Sequence, residues 1–244
     1  MEYILSQKKQ KGTLPENAFV AKTIVTTELG RVIADHYGVE MIEVLTGFKF
    51  IGEKIKEEDE FGHKKFLFGF EESYGYLAGT FSRDKDGVVA SMLIAEMAAF
   101  YRTKGMSLYE GLQELYKKYG YALESVSSFV LEGKEGVEKI NRIMQEFREA
   151  KPTSFNGIEV AAIRDYMTRE RYEIGTGIKQ TLNLPRSNVL YYEMKGKSWF
   201  CVRPSGTEPK IKIYFGVLSD SEVGASNELK KLQDSVLSEI KGML

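Results

Sequence analysis

The sequence predicts an α/β protein: a small, mostly parallel three-layer α/β domain over residues 1–124, then an α+β domain with an antiparallel sheet over residues 125–244. Three observations lead there. The first half alternates β-branched apolar runs with helix-period segments, the pattern of strand–helix–strand units around a parallel sheet. After Gly120 the rhythm changes to consecutive strand-like pieces flanked by one helix at each end, which reads as α+β. The 244 residues are enough for two cores, burying roughly 70–75% of the unfolded surface without disulfide or metal staples.

The elements follow in order. Met1 to Leu5 is an apolar helical turn that runs at once into a polar linker, and these first ~15 residues read as a remnant of a preceding domain or of the linker to it. Ala18 to Thr26 is a β-branched strand, and Thr26 and Thr27 offer cap oxygens to a helix closed by Gly38. A strand at Val39–Leu45, a helix at about Phe48–Lys56 and an apolar strand at Lys65–Phe70 come next. The last of these runs into a polar, glycine-bearing loop, Glu71-Glu72-Ser73-Tyr74-Gly75. The segment from Gly87 to Tyr101 is apolar nearly all round, so a largely buried helix is expected. Ser107-Leu108-Tyr109-Glu110 is a capping box opening one more helix. The boundary is placed near residues 122–126. Beyond it come a strand at about Leu123–Leu131 and a helix at about Gly136–Ala150. Four strands follow, near Ile158–Tyr166, Val189–Met194, Trp199–Arg203 and Lys210–Val217, and a final helix capped from Ser219-Asp220-Ser221-Glu222.

Composition removes several classes of function. With 34 basic against 35 acidic side chains, the chain lacks the cationic excess of a general nucleic-acid or membrane-surface binder. Neither nucleic acid nor membrane is expected as a partner. The single cysteine, Cys201, excludes an internal disulfide and fits a reducing compartment, so cytoplasm is the expected location. Two histidines and one cysteine are too few for a zinc site of the usual ligands. No apolar run approaches the ~20 residues of a membrane span. The N-terminal residues lack the apolar core of a signal peptide.

Chemistry concentrates in loops. Parallel strands place ligands at their carboxyl ends, where Thr46-Gly47-Phe48-Lys49 and Phe70-Glu71-Glu72-Ser73-Tyr74-Gly75 fall. Glu71 and Ser73 would project to one side if the strand continued, and a carboxylate beside a hydroxyl suits the vicinal hydroxyls of a sugar. A solvated capping turn is the plainer alternative. Arg83-Asp84-Lys85-Asp86-Gly87 is either a surface cap or a means of bringing the Lys85 cation to an anionic substrate. The richest segment is Arg203-Pro204-Ser205-Gly206-Thr207-Glu208-Pro209-Lys210, with Lys212 beyond it. Arginine grips phosphate bidentately, hydroxyls and bare backbone N–H groups fill the remaining oxygens, and Gly206 permits close approach. A decorated hairpin turn is the alternative, though two prolines stiffen it more than a connector requires.

These four segments, in this order, resemble those of the α-D-phosphohexomutases, the phosphoglucomutase/phosphomannomutase family, with a flavour nearest the long bacterial phosphoglucomutases. The resemblance covers essentially the whole chain, as the third and fourth domains of a four-domain enzyme. It implies that Glu71 and Ser73 bind sugar hydroxyls, that Thr46 and Gly47 wall the pocket, and that Lys85 approaches the phosphosugar. Arg203, Ser205, Gly206 and Thr207 would hold the phosphate that is not transferred; Lys212 stands where relatives often carry arginine. The reaction implied is interconversion of hexose 1-phosphate and hexose 6-phosphate through a 1,6-bisphosphate, with Mg2+ as metal. The family's phosphoserine loop and its Asp-x-Asp-x-Asp-Arg magnesium loop do not occur in these 244 residues. No catalytic residue and no metal ligand are therefore assigned here. The expectation is a substrate-binding half, inactive alone and dependent on the missing N-terminal domains. A stand-alone phosphosugar-binding module and a fragment of a phosphopentomutase are the alternatives.

Overall fold

A computed structural model describes residues 1–206 and 208–243. The chain divides into two compact units, Met1–Gly120 and Tyr121–Leu244.

The first unit contains α1 (Glu2–Gln10), β1 (Ala18–Thr23), α2 (Leu29–Tyr37), β2 (Glu40–Val44), α3 (Phe48–Glu60), β3 (Lys65–Glu71), β4 (Gly75–Ala78), α4 (Gly87–Thr103) and α5 (Leu108–Tyr119). Its sheet runs β2-β1-β3-β4, with β1 parallel to both β2 and β3 and β4 antiparallel to β3. The all-buried β1 explains the apolar run that announced it: a central parallel strand is covered on both faces. Phe19 and Ala21 of β1 meet Phe48, Ile51 and Ile55 of α3 in one cluster with Val44, Phe66 and Leu77. On the opposite face of β1, Lys22 is fully buried, which is tolerable only because it is paired. Its Nζ lies 2.8 Å from Glu28 and 3.2 Å from Glu43 and donates to the Thr26 carbonyl at 2.9 Å. The expected capping box of α5 is present in both directions between Ser107 and Glu110.

Four expectations are corrected in this unit. The chain does not pass into a linker after Leu5: the helix runs on to Gln10, held by the burial of Leu5 and by Tyr37 and Tyr119 hydroxyls donating to Glu2. The segment after Glu71 is a hairpin rather than an open loop, since Gly75–Ala78 pairs back on β3. Thr26 does not cap α2, because its hydroxyl is spent elsewhere; Thr27 Oγ1 accepts from Leu29 N at 3.2 Å instead. And α4 is not buried: none of its residues is fully covered, with Val88 82% and Met92 59% exposed. An all-apolar composition shows how much a helix could bury. Coverage also needs a neighbour on each side, and Val88, Met92 and Ile94 have none sufficient among the described residues.

The second unit contains β5 (Tyr121–Val130), α6 (Gly133–Ala150), β6 (Ser154–Phe155), β7 (Ile158–Asp165), β8 (Glu170–Glu173), β9 (Lys179–Thr181), β10 (Leu190–Met194), β11 (Trp199–Pro204), β12 (Lys210–Ser219) and α7 (Glu222–Met243). The antiparallel sheet runs β5-β12-β11-β10-β7-β8-β9, with β6 paired to β7. The first strand is thus fastened to the last, through ten residue pairs from Tyr121↔Ser219 to Val130↔Lys210. One face of the sheet packs on Ile140, Ile143, Met144 and Phe147 of α6 and Leu232, Val236 and Ile240 of α7. At the centre Tyr192 stacks on Phe200 at 4.4 Å and 4° and donates its hydroxyl to the Phe147 carbonyl at 2.8 Å. Burial pushes the Tyr192 phenol well above its ordinary pKa. The strands β6, β8 and β9 were not expected. β8 and β9 are short and polar, held by backbone ladders rather than by an apolar pattern, and β6 is two residues long, with Phe155 buried in the core.

Candidate functional site

Because β1, β2 and β3 are parallel, their carboxyl ends share one edge of the first unit, with β1 in the middle. Three turns with chemistry lie after or beside them. Gly47, after β2, adopts φ 124, open to glycine, and leads into α3 without any side-chain cap. The Thr46 hydroxyl is buried with no hydrogen-bond partner among the described residues.

Glu71 closes β3 and is 7% exposed. Its Oε1 lies 3.8 Å from Lys85 Nζ, which also contacts Asp84 at 3.2 Å and stands 5.5 Å over the Phe48 ring. Lys85 thus joins Glu71 to the Gly47–Phe48 corner while half of its side chain stays open to solvent. Gly52 makes this possible: the Arg83 backbone carbonyl presses on α3 there, where any Cβ would collide. Asp86 caps α4, accepting from Val88 N and Val89 N at 2.9 Å each. The Arg83–Gly87 segment therefore caps a helix, as one of its two readings had it, and leaves the Lys85 ammonium half exposed beside Glu71. The Lys85 backbone N–H and ammonium hold the Asp84 carboxyl below its usual pKa.

Ser73 is not placed as strand continuation would have it. The chain turns back through Glu72, Ser73 and Tyr74, with Tyr74 at φ 62, and Glu71 pairs with Gly75. Ser73 sits exposed at the hairpin tip, while Glu71 is buried one step below. Gly75 has no Cβ for a reason: one placed there would lie 2.7 Å from Glu71 Cγ and Oε1. Sequence reasoning passed over Gly75, Phe48 and Glu72; the glycine-bearing turn was the only local signal for the first.

In the second unit β11 and β12 form the hairpin that carries the other candidates. Arg203 lies directly opposite Lys212. Below the loop, Ser205 N donates to the Lys210 carbonyl at 2.8 Å and Lys210 N donates to the Glu208 carbonyl at 2.7 Å. Lys210 is ion-paired with Glu208, and this hydrogen-bonded cation, with Lys212 further off, holds the Glu208 carboxyl below its ordinary value. A cleft of about 500 Å3 opens between Ser205, Gly206 and Glu208 on the loop and Lys134 and Asn141 on α6. Thr207, expected to bind phosphate, lies outside the described residues.

A magnesium site is not among these features. Among the described residues no group of three or more His, Cys, Asp or Glu side chains could hold a metal ion. The close pair Asp84 and Asp86 is committed to Lys85 and to the α4 N-terminus. No described helix is long and apolar enough to cross a membrane.

Comparison with known proteins gives the family. Residues 1–119 match the profile of the phosphoglucomutase/phosphomannomutase alpha/beta/alpha domain III, and residues 129–228 match that of the phosphoglucomutase/phosphomannomutase C-terminal domain. A phosphoglucomutase of Staphylococcus aureus (strain bovine RF122 / ET3-1) is 39% identical over 211 residues, covering 86% of this chain and 38% of its own. The phosphoglucomutase of strain N315 is 37% identical over the same length. The chain thus spans well under half of the relatives it matches. Among solved structures, parafusin (a phosphoglucomutase) from Paramecium in its open form superposes with TM-score 0.63 at 17% identity, over 92% of this chain and 38% of that one. A phosphoglucomutase/phosphomannomutase family protein from Burkholderia thailandensis gives 0.55 at 15% identity, over 99% and 41%. Both show the fold, and the sequence relatives carry the kinship: the chain belongs to the phosphoglucomutase/phosphomannomutase family, of which it holds domain III and the C-terminal domain.

Proposed function

We propose that this chain is the substrate-binding half of an enzyme that interconverts hexose 1-phosphate and hexose 6-phosphate through a 1,6-bisphosphate. The observation that carries the reading is the meeting of Glu71, Lys85 and the Gly47–Phe48 corner at the carboxyl edge of the first sheet. A buried carboxylate accepts from sugar O–H groups, and a half-open ammonium meets phosphate. Thr46 and Ser73 add hydroxyls, one buried and unpartnered, one exposed at the turn. The second unit takes the phosphate that is not transferred, with Arg203 and Lys212 as cations and Ser205, Gly206 and Thr207 as the loop around it.

Phosphoryl transfer rests on positioning and charge stabilisation. These residues supply positioning. Magnesium does not fit the carboxylates present, and the nucleophile and metal belong to the part of the relatives' length that this chain does not span. Glucose 1,6-bisphosphate is the matching intermediate. Alone, the chain binds hexose phosphates and does not turn them over.

Calorimetry with glucose 6-phosphate on the purified chain tests this, with Glu71→Gln and Arg203→Ala as paired losses. Binding that neither substitution weakens would overturn the site. Interconversion of glucose 1-phosphate and glucose 6-phosphate by the chain alone would overturn its inactivity.

A further inference from the structure

In an open α/β sheet the ligand crevice lies where adjacent strands connect in opposite directions. Here that is the gap between the carboxyl ends of β1 and β3, since β1 leads to β2 on one side and β3 enters on the other. The gap is bridged from within. Glu72 Oε2 lies 2.9 Å from Thr23 Oγ1 and 3.3 Å from Thr26 Oγ1, and the two hydroxyls are 2.7 Å apart. Thr23 is fully buried and Thr26 is 3% exposed.

Each hydroxyl has one proton. The shorter distances assign them in a chain: Thr26 donates to Thr23, and Thr23 donates to the carboxylate. Hydrogen bonds in such a chain polarise one another, and the one ending on a charge is the stronger kind. The far end is equally fixed. Lys22 Nζ holds the Thr26 carbonyl and is locked between Glu28 and Glu43, while Arg31 contacts the same two carboxylates at 3.2 and 2.8 Å. The turn carrying Thr26 is therefore anchored to α2 and β2.

The geometry points to Glu72 as the positioning residue of the hairpin that carries Glu71 and Ser73, tying it to the end of β1 across the crevice. This deepens the proposed function and rests on reading that hairpin as the sugar-binding loop. Glu72 is the residue between the two candidate sugar contacts, so restraining it restrains both. The turn also needs restraint, because Tyr74 is held at φ 62, sparsely populated by non-glycine residues. Discrimination between sugars that differ at one hydroxyl depends on how firmly the acceptors are held.

The test uses the 244-residue chain with Glu72→Ala, Glu72→Gln and the double substitution Thr23→Val/Thr26→Val, each checked for an intact cooperative melt. Hydrogen exchange is read at the amides of Ser73–Tyr76. Loss of the tie should speed exchange there about tenfold or more in Glu72→Ala and in the double variant. Glu72→Gln should fall between, because its amide oxygen still accepts. Calorimetry should then show glucose 6-phosphate binding weakened severalfold in Glu72→Ala, with inorganic phosphate binding unchanged. Unaltered exchange in both the Glu72→Ala and double variants overturns the tie, whatever the ligand results. Faster exchange with undiminished glucose 6-phosphate affinity overturns the positioning role. Wild-type chain that binds glucose 6-phosphate no better than inorganic phosphate overturns the sugar reading, and the positioning role with it, while the exchange data still decide the tie.

Discussion

Arg203 and Lys212 face each other directly across the β11–β12 hairpin, and no carboxylate among the described residues pairs with either. Like charges opposite one another on neighbouring strands oppose pairing by roughly 0.2–1 kcal/mol. An anion between them removes that cost and adds charge-assisted hydrogen bonds. Inorganic phosphate should therefore raise the melting temperature of the chain by mass action. Arg203→Ala should abolish the rise while leaving the ligand-free protein at least as stable. A phosphate-dependent rise that survives the substitution would show that the anion binds elsewhere.

Gly75 gives a handle on the proposed sugar loop. A methyl group there would press on Glu71 Cγ and Oε1 and drive the carboxylate from its place beside Lys85. Gly75→Ala should cost roughly 1–3 kcal/mol in stability and sharply reduce glucose 6-phosphate affinity. Denaturant unfolding and calorimetry on one sample separate the two effects. Sugar phosphate affinity equal to wild type would mean that Glu71 has no sugar contact.

The acid stability of the second unit should depend on Glu193. Burial alone would raise this carboxyl, but hydrogen bonds and charge from Arg171 and Arg164 outweigh it and hold it below its ordinary value of 4.5. A depressed carboxyl stabilises the fold above its unfolded pKa and loses that contribution as pH falls through the folded value. Stability should be level above about pH 5 and decline on acidification below the ordinary value. Glu193→Gln should lower stability at neutral pH by roughly 1–3 kcal/mol and flatten the acid limb. Urea midpoints between pH 3 and 8 would show it, and an identical slope in the variant would contradict it.

The only tryptophan reports on packing at one glycine. Trp199 lies opposite Gly216 and its indole occupies the space a Cβ would need, while the ring stacks on Tyr191 at 5.2 Å. Gly216→Ala should destabilise the second unit by roughly 1–3 kcal/mol and shift the fluorescence maximum. An unshifted spectrum with unchanged stability would place the indole elsewhere.

At the helix end, Ser107→Ala removes one half of a capping box and should cost about 1 kcal/mol. Chemical denaturation of the first unit should show this loss, and its absence would mean that the last helix contributes little to that unit's stability.

Much of the fold was legible because burial leaves a pattern in sequence. β1, β2, β3 and β10 to β12 are apolar runs, and α2 and α5 carry their own stop or start signals. The polar strands β8 and β9 leave no such trace, since a backbone ladder needs no particular side chain. The exposure of α4 was illegible for another reason: composition records an apolar surface but not whether a neighbour covers it. At the site, the Glu71, Lys85 and Arg203 loops stood out by residue type and order. The facing of Arg203 and Lys212 required a register, which only the folded hairpin fixes. The Glu72–Thr23 tie joins residues 49 positions apart across a parallel sheet, and no local signal announces such a pair.

The pairing of β5 with β12 has a consequence for how the second unit comes into being. Its first-made strand waits at the sheet edge for its last-made one, so the ladder closes only once residues 210–219 have been made. Contacts so distant in sequence form slowly, because loop closure precedes their reward. Until then both strands are open edges, the kind that recruit strands from other molecules. A version excised at residue 129, where the C-terminal domain profile begins, would discard most of β5 and leave β12 permanently in that state. An excised second unit should therefore start at Tyr121, so that β12 keeps its partner strand.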